Sequence, residues 1–199
     1  MNDTLKVIYE RRAVRKYKEQ VPARSLIEEV ISAGRMAPSA INRQPWKFYV
    51  LTNRADIQSF SKEIGKVAAK GILRSGIKNI IKSVSGSLHF TGLSHGVDFL
   101  KAKDPIFHGA PVVIFITSPK DNEWASLDIG MCSQNMMLAA KSLGLDTCPV
   151  GLGKYVEQTK SFPKLIISPK EQVQLAVLLG YGNEKAEMHE RIKDNVVYY

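Results

Sequence analysis

The chain has 199 residues, 44% apolar and 24% charged, which suits one domain with its own hydrophobic core and excludes wholesale disorder. Its 28 Lys and Arg against 19 Asp and Glu give +9, and all of that excess lies in residues 1–100, where 17 basic side chains meet 8 acidic ones. Two cysteines, Cys132 and Cys148, exclude a disulfide framework, a CxxC redox pair and a four-cysteine zinc site. No apolar run is long enough to span a membrane, and MNDTLKVIYERR has no apolar leader segment. The expectation is a reduced, cytoplasmic protein without membrane insertion. Its basic half suits either an anionic partner or a solubilising surface.

Residues 2–11 fit an amphipathic helix with Leu5, Val7 and Ile8 on one side. Residues 25–36 give a second, with Leu26, Val30 and Ala33 in phase, Ser25 and Glu28 as a capping pair, and Pro38 ending it. Lys47–Thr52 reads as a strand, and the continuous run Val112–Thr117, bounded by Pro111 and Pro119, as a strand buried on both faces. Residues 123–143 form the longest predicted helix: Ala125, Ile129, Cys132, Met136, Ala140 and Leu143 step by three and four, and Gly144 caps it. Apolar flanks predict burial nearly all round. Ser168–Glu171 starts a helix or turn, Gln172–Leu179 is another buried strand, and Val196–Tyr199 is a β-prone tail. Strands alternating with helices predict an α/β or α+β fold.

The stretch 53–108 differs. Lys62, Lys66, Lys70, Arg74, Lys78 and Lys82 recur every four residues among isoleucines and valines, a basic amphipathic helix weakened by Gly65, Gly71 and Gly76. Ser83–Val97 follows without a formal charge, rich in Ser and Gly, and reads as a mobile loop. Surface decoration, a lid over a ligand, or a contact with membrane or nucleic acid would each produce this pattern.

No GxGxxG, P-loop, HExxH or GxSxG is present, and His89, His95, His108 and His189 lack metal-ligand spacing. With no protein nucleophile, dyad or metal set, an enzyme built on this chain needs an organic cofactor. Two segments carry the signal. Arg11, Arg12 and Arg15 cluster after the first helix, placed either to grip a phosphate or to offset that helix's dipole. Ala37–Trp46 (APSAINRQPW) sets carboxamides between helix and strand, suited to a heterocycle edge or to a tight turn with Trp46 in the core.

In this order, the segments resemble the nitroreductase-like FMN oxidoreductase family. The family pattern R-R-[S/A]-x-R, A-P-S-x-x-N-x-Q-P-W, D-P-x-F-x-G-A-P, a buried helix, a glycine turn and a late basic residue stands here as Arg11–Arg15, Ala37–Trp46, Asp104–Pro111, helix 123–143, Pro149–Gly153 and Arg191. Only residues 53–103 match nothing in it. The resemblance implies an α+β fold with one mixed, mainly antiparallel sheet among helices. Residues 1–199 would form one domain, with 53–103 as a variable insertion, in an interlocked homodimer holding FMN at the subunit interface.

By the same resemblance, Arg11, Arg12 and Arg15 hold the flavin phosphate, ribityl chain and pyrimidine edge, and Ala13 contributes only backbone. Pro38, Ser39, Ala40 and Asn42 contact the flavin from the partner subunit, and Gln44 supports their turn. Gly151, Leu152 and Gly153 offer N–H groups toward N5 and O4, and Arg191 completes the phosphate clamp. No side chain is assigned as catalytic. The flavin takes a hydride from NADH or NADPH at N5 and passes it, ping-pong, to a nitroaromatic, quinone or similar small acceptor. Apart from the resemblance, the glycines, uncharged Ser/Gly tract and basic ladder of Lys62–Val97, anchored between Trp46 and Val112, give the expectation of a helix and mobile loop near the flavin that sets acceptor choice. Two other readings stay open: the same flavin site used for reductive dehalogenation, flavin cleavage or dehydrogenation, and a non-catalytic basic module. A yellow protein separates the first of these from the second.

Overall fold

The computed structural model describes residues 2–84 and 103–199, with the backbone alone at 71–84. In chain order the elements are α1 (Asp3–Glu10), α2 (Arg24–Arg35), β1 (Lys47–Leu51), α3 (Arg54–Val84), β2 (Val112–Pro119), α4 (Ala125–Ser142), β3 (Asp146–Val150) and β4 (Glu171–Gly180). Short 3₁₀ turns cover Ala40–Asn42, Gly151–Gln158 and Phe162–Leu165. The four strands form one sheet in the order β1-β2-β4-β3, each neighbour antiparallel. The fold is α+β, as expected, with β1 and β3 at the edges.

Strand β2 organises the interior. Val112 to Ile116 are all wholly buried, because successive side chains enter different cores. Val112, Ile114 and Ile116 meet α2 and α4; Val113 and Phe115 meet α3 and the 3₁₀ turn after β3. Phe115 stands edge-to-face with Phe60 and Phe107, at centroid distances of 6.4 and 6.0 Å. Trp46 belongs to the first core.

Helix α4 buries Ala125, Ile129, Cys132, Met136 and Ala140 but leaves Leu127 exposed, so its burial is one-sided in the single chain. It ends as its sequence implies: Gly144 adopts φ +74°, and Leu145 N–H reaches Ala140 O at 2.8 Å. Helix α2 packs close on it because Gly34 has no Cβ; one there would lie 2.6 Å from Met136 Cγ.

Some local expectations change. Ser25 and Glu28 do not cap α2: the cap is Ala23, which makes no side-chain bond, and Glu28 instead pairs with Arg24 at 2.7 Å. Ser25 sits one residue inside the helix, too late to serve. Helix α1 buries nothing; Leu5 and Ile8 are each 43% exposed. Helix α3 starts well before Lys62, where Asn53 Oδ1 accepts the Asp56 N–H at 3.1 Å. Ile57, Phe60, Ile64 and Ala68 face the core, while Lys62, Lys66 and Lys70 are solvated. The side chains of Arg74, Lys78 and Lys82, and the expected loop beyond Val84, lie outside the described residues. Among those residues no helix is long and apolar enough to cross a membrane.

At one end of the sheet, Glu171 gathers three donors: Lys47 Nζ at 3.0 Å, Tyr49 OH at 2.9 Å and Thr117 Oγ1 at 2.7 Å. Burial pushes this carboxyl upward, but the three bonds outweigh burial and hold it below its ordinary 4.5. A depressed carboxyl stabilises the fold above the unfolded value and loses that contribution as pH falls through the folded one. Glu171→Gln is therefore expected to cost about 1–2 kcal/mol at neutral pH, a Tm lower by roughly 3–6 °C. The gap between variant and wild type should narrow on acidification below pH 4.5. Thermal melts across pH 3–7 check both.

Candidate active site

After α1 the chain runs beside the edge strand β3. Val14 N–H bonds to Thr147 O at 3.0 Å, Ala13 bridges Thr147 through its backbone, and Tyr17 OH closes the turn onto Val14 O at 2.6 Å. Beyond β4, Gly182 pairs with Tyr17 and Asn183 N–H bonds to Lys16 O at 2.8 Å, tying down the start of the C-terminal tail.

This arrangement brings the positive charge of Arg191 to bear on Arg11, far apart though they are in sequence. Arg11 is half-buried; burial pulls its pKa down, and the positive charges of Arg12 and Arg191 pull it further. Among the described residues, no carboxylate pairs with any of the three. Arg12 also donates to Tyr9 O and Arg11 O at 2.5 and 2.7 Å, so it serves the end of α1 as well. Arg15 and Arg11 both act on Cys148. Arg15 donates its backbone N–H to Glu184 Oε1 at 2.5 Å. Its charge is felt by His108, held below its ordinary pKa mainly by burial, and by Cys148, raised mainly by burial.

The glycine turn follows β3, at the head of the 3₁₀ segment Gly151–Gln158, whose start has no side-chain cap. Its two glycines are there for different reasons. A Cβ on Gly151 would meet nothing within 4 Å, whereas one on Gly153 would lie 2.5 Å from Ala176 Cβ and 3.0 Å from Ala176 N. Gly153 is thus buried against β4, Gly151 is open, and Leu152 is half-buried between them.

The Pro38–Gln44 loop lies where α2 ends against α4. Ser39 Oγ accepts the Gln44 N–H at 2.9 Å, and Gln44 Nε2 donates to Asn42 Oδ1 at 3.1 Å, so Gln44 does brace this turn. Ala40 N–H donates to Asp128 Oδ1 at 3.1 Å. Among the described residues, no hydrogen bond or ion pair joins this loop to the arginines or the glycine turn. From Asp128, α4 runs on for roughly 21 Å to Ser142, just before the strand that carries the arginine segment.

Sequence reasoning missed Asp128 and Glu184. Glu184 has no local signal. Asp128 does: it stands three residues after Ala125, beside Ile129 and four before Cys132, on the apolar face of α4.

The family model for the nitroreductase family matches residues 8–181. The chain is 30% identical to 4-nitrobenzoate reductase from Pseudomonas putida, over 92% of this chain and 87% of that protein. It is 32% identical to nitrobenzene nitroreductase from Ectopseudomonas oleovorans, over 71% and 70% of the two chains. A crystal structure of a nitroreductase with bound FMN from Desulfitobacterium hafniense DCB-2 superposes with a TM-score of 0.77 at 25% identity, covering 100% of this chain and 99% of that one. With the ordered motifs and this fold, these matches make the chain a member of the nitroreductase family.

Proposed function

We propose that the protein is an FMN-dependent oxidoreductase that draws on NADH or NADPH and reduces nitroaromatics, quinones or similar small acceptors as a homodimer. The observation that carries this reading is that half-buried Arg11 feels the like charges of Arg12 and Arg191 and, among the described residues, has no carboxylate partner. Three cations held together, one half-buried, repel one another, and a phosphate group relieves that repulsion while accepting their forked N–H donors. The open space at Gly151 fits the same ligand, since a flat ring needs backbone at close approach.

In this reading Arg11, Arg12 and Arg191 bind the phosphate, and Arg15 holds positive charge at the pyrimidine edge. Gly151, Leu152 and Gly153 present backbone N–H groups to the ring, while Ala13 keeps the arginine segment against β3. Pro38, Ser39, Ala40 and Asn42 reach the ring from the second copy, which suits their separation from the arginines within one chain. FMN held by these residues would supply the two-electron chemistry, hydride transfer through N5 from the nicotinamide to the acceptor in ping-pong order. The names of the two bacterial relatives support nitroaromatic acceptors, and the FMN-bound neighbour supports the cofactor. Purification should give a yellow protein with about one FMN per chain that oxidises NADPH with a nitroaromatic. A colourless protein that cannot be reconstituted with FMN ends the reading; a yellow one inert to nitroaromatics moves it to other flavin chemistry.

The dimer has its own support. Leu5, Ile8, Trp124 and Leu127 are exposed on α1 and around the start of α4, and β1 leaves a sheet edge open. Beside β1 lies a groove of about 930 Å³ lined in part by Val21, Ile27, Ile31, Phe48 and Val50. The tail residues Val196, Val197, Tyr198 and Tyr199 are exposed and β-prone, and in this reading the tail of a second copy would lie along this groove and add a strand to the edge. Deleting Val196–Tyr199 is expected to weaken dimerisation at least about tenfold by light scattering. An unchanged dimer and melting curve would leave the tail without a role.

A further inference from the structure

Within the Pro38–Gln44 loop, Ile41, Asn42 and Gln44 all adopt left-handed backbone, with φ of 47°, 56° and 47°. Asparagine tolerates this region, but a β-branched isoleucine does so only when its surroundings impose it. The loop's own bonds close it locally: Gln44 N–H to Ser39 Oγ, Asn42 N–H to Ser39 O and Arg43 N–H to Ala40 O. Among the described residues, a single hydrogen bond reaches residues 38–44 from outside, the one from Ala40 N–H to Asp128 Oδ1.

Asp128 is an unusual anchor. It is 1% exposed in the first turn of α4, and among the described residues its second oxygen, Oδ2, is buried without a hydrogen-bond partner. An acid at such a site is expensive to bury, and packing alone would favour an apolar side chain there. The α4 N-terminus offsets part of that cost, and Oδ1 is satisfied by the Ala40 N–H at 3.1 Å.

We propose that Asp128 is a positioning residue for the cofactor: from beneath the loop it holds the strained turn through Ile41 and Asn42 that presents Ser39, Ala40 and Asn42 to the flavin. The proposal rests on the FMN reading for its purpose, but the restraint itself is a property of the chain alone. Asp128 touches no ligand in this account. It acts through Ala40.

Three variants test it. Asp128→Ala removes the acceptor; Asp128→Asn keeps an oxygen able to accept the Ala40 N–H. Ala40→Pro removes the donor, at the first position of a 3₁₀ turn preceded by an extended Ser39, where proline fits. Hydrogen exchange of the peptide covering residues 38–44 is measured on each protein without cofactor, and FMN affinity and the visible circular dichroism of bound FMN on each after loading. Asp128→Ala and Ala40→Pro are expected to speed exchange in the loop and weaken FMN binding by about tenfold each, with altered flavin dichroism and unchanged exchange in α2. Asp128→Asn should stay within about threefold of wild type in all three. Unchanged loop exchange in Asp128→Ala overturns the proposal, and so does equal damage by Ala and Asn. If wild type takes up no FMN, the flavin reading itself fails; if wild type and Asp128→Ala bind FMN equally well, only the role given to Asp128 fails.

Discussion

Arg11→Glu is expected to separate stability from cofactor binding, moving them in opposite directions. Without cofactor, Arg11 is a half-buried cation whose charge is disfavoured first by burial and then by Arg12 and Arg191. A glutamate there removes that repulsion and gains two cationic neighbours, so the cofactor-free protein should melt no lower than wild type. With FMN, the sign reverses. The phosphate loses one guanidinium and meets a carboxylate, and charge-assisted bonds to a phosphate contribute about 1.5–3 kcal/mol each. The expected loss is more than about a hundredfold in FMN affinity. Wild-type affinity should fall as salt rises, and the variant's should respond less. Calorimetric melts of the cofactor-free proteins, with FMN titrations at two ionic strengths, read both effects. A variant that melts several degrees lower and binds FMN normally would place Arg11 at the end of α1 as a structural cation.

Which elements were legible in the sequence follows from how each is buried. Strand β2 and helix α4 stand out because their patterns are imposed by packing: Val112–Ile116 enters two cores, and Ala125, Ile129, Cys132 and Met136 follow one helical face. Strand β3 does not. Its sequence Asp146–Val150 contains Pro149, which argues against a strand unless it lies at an edge, where β3 does lie. Helix α3 was legible by its lysines, but its true start depends on Asn53, whose side chain caps it nine residues before Lys62.

The site divides in the same way. The two linear motifs were readable because each is a short run of chemically matched residues. The nearness of Arg191 to Arg11 came only through the family resemblance, because it depends on a tail tied back through Gly182 and Asn183. Asp128 escaped because a lone acid on a helix usually faces solvent, and only its phase with Ala125 and Cys132 betrays its burial.

The two glycines of the turn after β3 should respond to alanine in contrasting ways. At Gly153, the new methyl would sit 2.5 Å from Ala176 Cβ and 3.0 Å from Ala176 N, both fixed by the strand β4. Neither neighbour can rotate away, so the 3₁₀ segment must lift from the sheet, disturbing the packing of Val156 and Cys148 in the second core. Overpacking of this kind costs about 2–3 kcal/mol, a Tm lower by roughly 4–12 °C. Because the same movement displaces the backbone N–H groups of Gly151 and Leu152, FMN affinity should fall along with stability. At Gly151 the methyl meets nothing, and its backbone is not left-handed, so Gly151→Ala should melt within about 1 °C of wild type. If the flavin ring lies against this position, the harmless methyl becomes an obstacle only when the cofactor arrives, and FMN affinity should drop about tenfold with the melting curve unmoved. Gly151→Ala binding FMN as wild type would take the ring away from this turn. Gly153→Ala melting as wild type would mean that β4 and the turn yield more easily than their contact implies.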